Sequence, residues 1–262
     1  METHEIKVIA RIRSDFKSKF GIPRQSGLVE ELSATVVFEP EFRNPDALRG
    51  MEGFSHLWLI WQCSENVRED WAPMVRPPRL GGNTRLGVFA TRSPFRPNSI
   101  GLSCVRILGL RADPELGTVI DVGGADLMDG TPIYDIKPYA PYADSHPEAL
   151  GGFASTRPDV IPVVFPAALL EKLPADKRKA AEGVLAHDPR PRYQEDGVRE
   201  YGMSFAGYNI RFHVTDGVLT VTEVEAESEV YISFSVQPIF SKSSGLWWQR
   251  GHSKSGGSVS PS

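Results

Sequence analysis

Residues 124–139 read GADLMDGTPIYDIKPY, and three carboxylates, Asp126, Asp129 and Asp135, fall close to Lys137 and Tyr139 around the sharp turn DGTP. Carboxylates can act as general bases, and a neighbouring cation can stabilise charge developing on a substrate. A DG turn alone is usually only a turn, and an Asp135–Lys137 pair on a surface is worth at most about 1 kcal/mol. It is the density of ionisable groups beside the turn that marks a candidate site. A second group is cationic. From Trp71 to Arg106 the chain carries Arg76, Arg79, Arg85, Arg92, Arg96 and Arg106 with no Asp, Glu or Lys. Arginine used alone favours planar, bidentate contacts to phosphate or carboxylate. Two of these arginines lie in ATRSPFRPNSIGLS (90–103), where Pro94 and Pro97 restrict the loop and Phe95 sits between them. The third group is GIPRQSGL (21–28), which contributes Arg24, Gln25 and Ser26.

Several familiar chemistries are excluded. The sequence has no GxG, no Walker A lysine loop, no HExxH and no GxSxG, and its six histidines are scattered without metal-ligand spacing. A metal-free enzyme or a binding module remains. The formal net charge of −4 argues against bulk nucleic-acid binding, but the arginine-only stretch can still form a local positive surface. Cys63 and Cys104 are too few for a disulfide framework, have no CxxC spacing and read as buried thiols. The apolar runs, such as LWLIW, fall well short of the roughly 20 residues that cross a bilayer. METHEIKVIARIR lacks a basic region followed by a long apolar one. A cytoplasmic location is expected.

The elements that must position these groups are mostly short strands. Residues 5–13, 34–39, 55–63, 84–91, 100–110 and 117–126 are rich in β-branched or aromatic residues and are separated by Gly, Pro and Asn. With few helical periods between them, an antiparallel barrel or sandwich is expected. Asn44 and Pro45 predict a short helix over 44–52. Beyond residue 153 the texture changes: helical periodicity over 166–186 breaks at Pro174, and residues 203–227 read as two strands across the turn TDG at 215–217. These features predict a main domain over 1–153, a smaller α+β domain over 154–240 and a Ser/Gly-rich, disordered tail over 241–262, in which Trp247 and Trp248 have no evident role.

Five segments, GIPRQSGLV, ALRGMEGFSHLWLI, VRPPRLGGNTRLGVFATRSPFRPNSIGLS, DLMDGTPIYDIKPY and LAHDPRPRY, occur in an order that resembles the TsaA-like TrmO family of S-adenosylmethionine-dependent tRNA methyltransferases. The resemblance spans residues 5–240. It implies a β-barrel, non-Rossmann methyltransferase acting on the exocyclic nitrogen of threonylcarbamoyladenosine beside the anticodon. It also implies a homodimer with the methyl donor bound near the subunit interface, and no metal. Carried over by motif, the donor-site candidates are Arg24, Gln25, Ser26, Arg92, Leu102, Asp126, Leu127, Met128, Asp129 and Gly130. Ser64 joins them, from a stretch that lines the donor site in relatives.

The residues suit that chemistry. Displacement at a sulfonium needs positioning and a nucleophile with a free lone pair. The donor's carboxylate suits the Arg92 fork, and its adenine suits an apolar wall such as Leu102. The acceptor urea nitrogen is a poor nucleophile. Asp126, Asp129 and Asp135 are candidate bases for it, and Lys137 or an arginine is the electrostatic candidate. Arg96, Tyr139, Arg190, Arg192 and Tyr193 are candidates for the tRNA side, with Tyr193 or Phe95 stacking on a splayed base. Two other readings stay open: a donor-dependent enzyme with a different acceptor, and a non-enzymatic RNA-binding module.

Overall fold

The computed structural model describes residues 2–63, 70–190 and 199–227. Strands β1 (Ala10–Arg13), β2 (Ser33–Phe38), β3 (His56–Gln62), β6 (Ile100–Asp113), β7 (Gly117–Gly123) and β8 (Pro132–Pro138) pair in the order β1-β2-β7-β6-β3-β8 and close back onto β1. Every pairing in this ring is antiparallel. Alternation along the strands decides which face is covered. In β1, Ala10 and Ile12 are buried and Arg11 and Arg13 are exposed. With Val36, Leu57, Leu59, Val105, Ile120, Val122 and Ile133 they fill the ring interior. Each of the Val, Leu and Ile side chains contributes about 1.5–3 kcal/mol by leaving water. Bulges at Ile60/Trp61 and Ile107/Gly109 bend β3 and β6.

The expected strand over 84–91 is not a continuous strand. Only β5 (Leu86–Gly87) forms, against β4 (Met74–Val75), and a 3-10 turn follows over Val88–Ala90. The partner strand stops because Arg76 is followed by Pro77 and Pro78, which have no N–H to extend a ladder. Over 44–52 the predicted helix is two 3-10 turns, Pro45–Leu48 and Met51–Gly53, and the Asn44 side chain accepts from the Asp46 N–H as a cap.

The second sheet has the order β10-β11-β12-β9, from β10 (Tyr201–Phe205), β11 (Tyr208–Thr215), β12 (Val218–Ala226) and β9 (Val163–Val164), with β9 parallel to β12. The predicted turn at 215–217 joins β11 to β12, with Asp216 and Gly217 both at positive φ. A second tight turn at Ala206–Gly207 joins β10 to β11, so the region holds three strands and not two. The helical stretch divides at Pro174 as expected, into α2 (Ala167–Leu170) and α3 (Arg178–Ala186), after the single turn α1 (Pro141–Asp144). Helix α3 packs Ala180, Ala181, Val184 and Leu185 on the sheet, and Phe16, Val29 and Leu32 from between β1 and β2 join the same core. The segment carrying residues 21–28 is therefore anchored to this core on both of its sides. The 241–262 tail, with Trp247 and Trp248, lies outside the described residues.

Candidate active site

The start of strand β6 carries the buried polar group from which the site is built. Ser103 is 1% exposed and occupies an inward position between Gly101 and Val105. It is satisfied on both sides: Trp61 Nε1 donates to Ser103 Oγ at 2.9 Å, and Ser103 Oγ donates to Asp126 Oδ1 at 2.6 Å. Trp61 reaches this position because it pairs in register with Gly101, where any Cβ would lie 2.3 Å from the indole. A chain of two hydrogen bonds thus runs from β3 through β6 to the loop after β7.

Asp126 is held by a loop fixed at both ends. Gly124, at φ +73, donates to Leu32 O at 2.8 Å and accepts from Gly27 N at 2.9 Å. Gly130 N donates to Ile12 O at 2.8 Å. The Asp126 residue keeps part of its surface open while its carboxylate is largely enclosed by protein. Burial raises its pKa to about 6, against the opposing pull of Ser103, its own backbone N–H, the Arg92 charge and the Ser26 N–H. A carboxyl titrating near neutrality suits general-base work.

The arginine loop closes over this group. Arg92 Nη1 donates to Gln25 Oε1, so residues 21–28 and 90–103 meet beside Asp126. Short side chains stitch the loop alongside its prolines: Ser93 N donates to Thr91 Oγ1, Phe95 N to Ser93 Oγ, and Ser99 Oγ to Pro94 O at 2.9 Å. Arg96 Nη1 donates to Thr91 O at 3.3 Å. Burial pushes the Cys63 thiol pKa up, Arg96 and Lys19 pull it down, and Asp126 raises it, so these charges share one neighbourhood.

The other carboxylates have different surroundings. Asp129 is exposed, and its Oδ1 accepts from Ser14 N at 3.0 Å, tying the loop to the end of β1. Asp135, half-exposed, pairs with the more exposed Lys137 at 2.9 Å, and its Oδ1 also accepts from Ile136 N. Leu127 is buried in the ring core, so it offers a ligand only backbone, and its carbonyl accepts from Ser14 Oγ. Met128 O accepts from Thr131 Oγ1, and Gly130 sits at φ +77 with its carbonyl accepting from Arg11. Leu102 is 48% exposed on the outer side of β6. Tyr139 packs against Trp58 and His56. Arg190 forms a two-pronged pair with Asp188, at 2.8 and 2.9 Å, and together with Arg24 lines a separate cleft. Ser64, Arg192 and Tyr193 lie outside the described residues. Gln25, Ser26, Arg92 and Asp126 are therefore brought together. Asp129, Asp135, Lys137, Tyr139 and Arg190 make their contacts elsewhere. Trp61 and Ser103 were missed, although a serine at an inward strand position was a legible signal.

Among the described residues no group of three His, Cys, Asp or Glu side chains is placed to hold a metal. A closed antiparallel ring with a near-neutral carboxyl beside arginines sets this chain apart from the nucleotide-binding α/β enzymes. Comparison with known proteins is specific. The tRNA-methyltransferase O N-terminal domain matches residues 11–145 and the TrmO C-terminal domain matches residues 158–227, and the chain belongs to the TrmO family. It is 40% identical over 234 residues to the tRNA (adenine(37)-N6)-methyltransferase of Escherichia coli (strain K12), covering 86% of this chain and 99% of that protein. It is also 40% identical to the putative S-adenosylmethionine-dependent methyltransferase RcsF of Pseudomonas aeruginosa, over 80% of this chain and 93% of the relative. A crystal structure of TrmO from Pseudomonas aeruginosa superposes with a TM-score of 0.71 at 33% identity, covering 86% of this chain and 99% of that one.

Proposed function

We propose that this chain transfers a methyl group from S-adenosylmethionine, the donor in the name of its Pseudomonas aeruginosa relative, to N6 of the adenosine at position 37 of tRNA, the acceptor in the name of its Escherichia coli relative. The carrying observation is the Trp61–Ser103–Asp126 chain, which sets a carboxyl of pKa about 6 beside Arg92 and the Ser26 N–H. The donor's carboxylate suits Arg92, and Leu102, exposed on the outer side of β6, is the candidate apolar wall for its adenine. Bound donor supplies an electrophilic methyl carbon on a sulfonium. As the new nitrogen–carbon bond forms, the methyl carbon–sulfur bond breaks and its electron pair stays on sulfur, so the donor leaves as a neutral thioether; Asp126 takes the proton from N6, which frees the lone pair that conjugation otherwise withholds. Such a base contributes about 10²–10⁴-fold. The experiment is mass spectrometry of tRNA nucleosides from cells lacking this chain, complemented with wild type or Asp126→Asn. The methylated nucleoside should return only with wild type, and its presence in the deletion strain would refute the reading.

The acceptor is the threonylcarbamoylated form of that adenosine. Arg96, held on the stitched loop, suits the threonyl carboxylate, and a site built for such a group discriminates by up to about 10⁴-fold against a substrate lacking it. One transcript in modified and unmodified forms tests this, and equal methyl incorporation into both would refute it. Asp129 and the Asp135–Lys137 pair remain second candidates for acid–base help, and Tyr139, Arg190, Arg192 and Tyr193 for the tRNA. The enzyme works in the cytoplasm as a homodimer. The support is the apolar outer face of β6, where Ile100, Leu102 and Leu108 are exposed, together with Phe89, 71% exposed and stacked on Trp71. Sedimentation should give twice the chain mass. Residues 1–153 act as the donor-binding barrel and 154–240 as the smaller α+β domain.

A further inference from the structure

A concave site lies against the segment that carries residues 21–28. It is a cleft of about 410 Å³ between residues 19–28 and the turn 187–190 that ends α3. Among the described residues, Lys19, Arg24 and Arg190 line it with the carboxylate of Asp188, while Ile22, Leu28 and Pro158 supply apolar wall. Its volume falls within the range of about 300–1,000 Å³ typical of small-molecule sites. The turn is built stiffly. Asp188 adopts φ +48, which side chains other than glycine rarely do, and grips Arg190 with both oxygens. His187 Nε2 sits 3.2 Å from Leu28 O and joins the turn to the opposite wall.

The cleft and the Asp126 site share one loop. Arg24 lines the cleft, while the next two residues serve the other side: Gln25 accepts from Arg92 and the Ser26 N–H supports Asp126. Lys19 belongs to the cleft wall, yet its charge reaches Cys63, which also senses Arg96 and Asp126. A polymer with one residue at Asp126 therefore has a cationic, part-apolar cleft beside it for a neighbouring residue.

We propose that this cleft binds a nucleotide of the RNA flanking the target adenosine, with its phosphate on Lys19 and Arg24 and its base against Ile22, Leu28 and the fixed Arg190 guanidinium. This rests on the tRNA reading. RNA bases splayed from a loop are commonly held on apolar or guanidinium surfaces. Phosphate contacts give the salt dependence, each one adding about 0.7–0.9 to the slope of log affinity against log salt.

The test measures tRNA binding and methylation by wild type, Lys19→Glu and Lys19→Gln, with calorimetry of S-adenosylmethionine on each. Lys19 is exposed, so these variants should fold. The expected result is a KM for tRNA raised about tenfold in the glutamate variant and less in the glutamine variant. The salt slope should fall by about one, with donor affinity and kcat at saturating tRNA retained. A 4-thiouridine placed beside the target adenosine should cross-link to residues 19–28 or 187–190. An unchanged KM and slope, or a cross-link confined to other peptides, would overturn the proposal. Weakened donor binding would overturn it in favour of a donor subsite. If wild type binds tRNA through the cleft but methylates none, the tRNA-methylation reading fails while the cleft stands. If wild type methylates tRNA and both variants behave identically to it, the cleft fails alone.

Discussion

Replacing Ser103 by alanine removes one hydroxyl from a buried position and leaves Asp126 without its 2.6 Å donor. Ser103 is the foremost of the groups that lower the Asp126 pKa, acting with the backbone N–H groups and Arg92 against the burial that raises it to about 6. Without it, the protonated form gains. A hydrogen bond to a charged group is worth about 1.5–3 kcal/mol. At 1.36 kcal/mol per unit, the acidic limb of activity should move upward by about one to two pH units. With Asp126 as the base, its ionised fraction at neutral pH should fall about twofold to tenfold and recover in alkali.

The assay is kcat/KM for tRNA methylation against pH, since this ratio reports ionisations of the free enzyme. Wild type should rise through about pH 6 and then level off. Ser103→Ala should reach a similar plateau at higher pH, and Trp61→Phe, which leaves Ser103 without its indole donor, should shift the limb in the same direction but less. A purely structural fault would lower the whole profile without moving it. A reduced but unshifted limb in folded Ser103→Ala would refute the role given to this hydrogen-bond chain.

Arg92→Ala should weaken S-adenosylmethionine binding by about 1.5–3 kcal/mol in calorimetry, and Arg92→Lys should recover little because an ammonium cannot reproduce the guanidinium fork. Unchanged donor affinity would remove Arg92 from the donor site. Gly101→Ala should destabilise by about 1–3 kcal/mol in urea titrations, because its Cβ would fall 2.3 Å from the Trp61 indole, and should displace the donor to Ser103. A variant of native stability and activity would show that Trp61 need not sit there.

The strands of the ring were legible wherever β-branched or aromatic residues run between Gly, Pro and Asn, as in β2, β3, β6 and β7. Two cases defeated that rule. In residues 84–91 the apolar pattern was present but its neighbour carried two consecutive prolines, a constraint that belongs to the partner and not to the segment. In residues 132–138 Asp135 and Lys137 drew attention as chemistry, yet the segment is β8, the strand that closes the ring between β1 and β3. The turn at Ala206–Gly207 was unreadable because alanine at φ +52 is held there by the hairpin and not by its own preference. The site was half legible for a related reason. Arg92, Gln25 and Ser26 stood out by type. Trp61 and Ser103 are 42 residues apart and meet only through the β3–β6 register.

The same reasoning explains why spacing did not choose among the three aspartates. Asp129 accepts from the Ser14 backbone and Asp135 pairs with Lys137 in solvent, whereas Asp126 is enclosed on a loop anchored through Gly124 and Gly130. Keeping a carboxylate there has a thermodynamic cost whose sign is testable. Its folded pKa, about 6, lies above the ordinary 3.8, so the native state binds the proton more tightly than the unfolded chain does. Stability is therefore highest below the unfolded value and declines as pH rises through about 6. A shift of about two units sets a ceiling near 3 kcal/mol, and the part of the residue open to solvent reduces this to about 1–2 kcal/mol. Asp126→Asn keeps an oxygen to accept from Ser103 and Ser26 but has no charge to bury. It should abolish methylation while raising the melting temperature at neutral and alkaline pH, with the gain vanishing near pH 4, where wild-type Asp126 is itself neutral. Melting curves of the two proteins at both pH values decide the matter. A stability difference that does not change with pH would mean that Asp126 is not a strained, near-neutral carboxyl, and the base would have to be sought at Asp129 or Asp135.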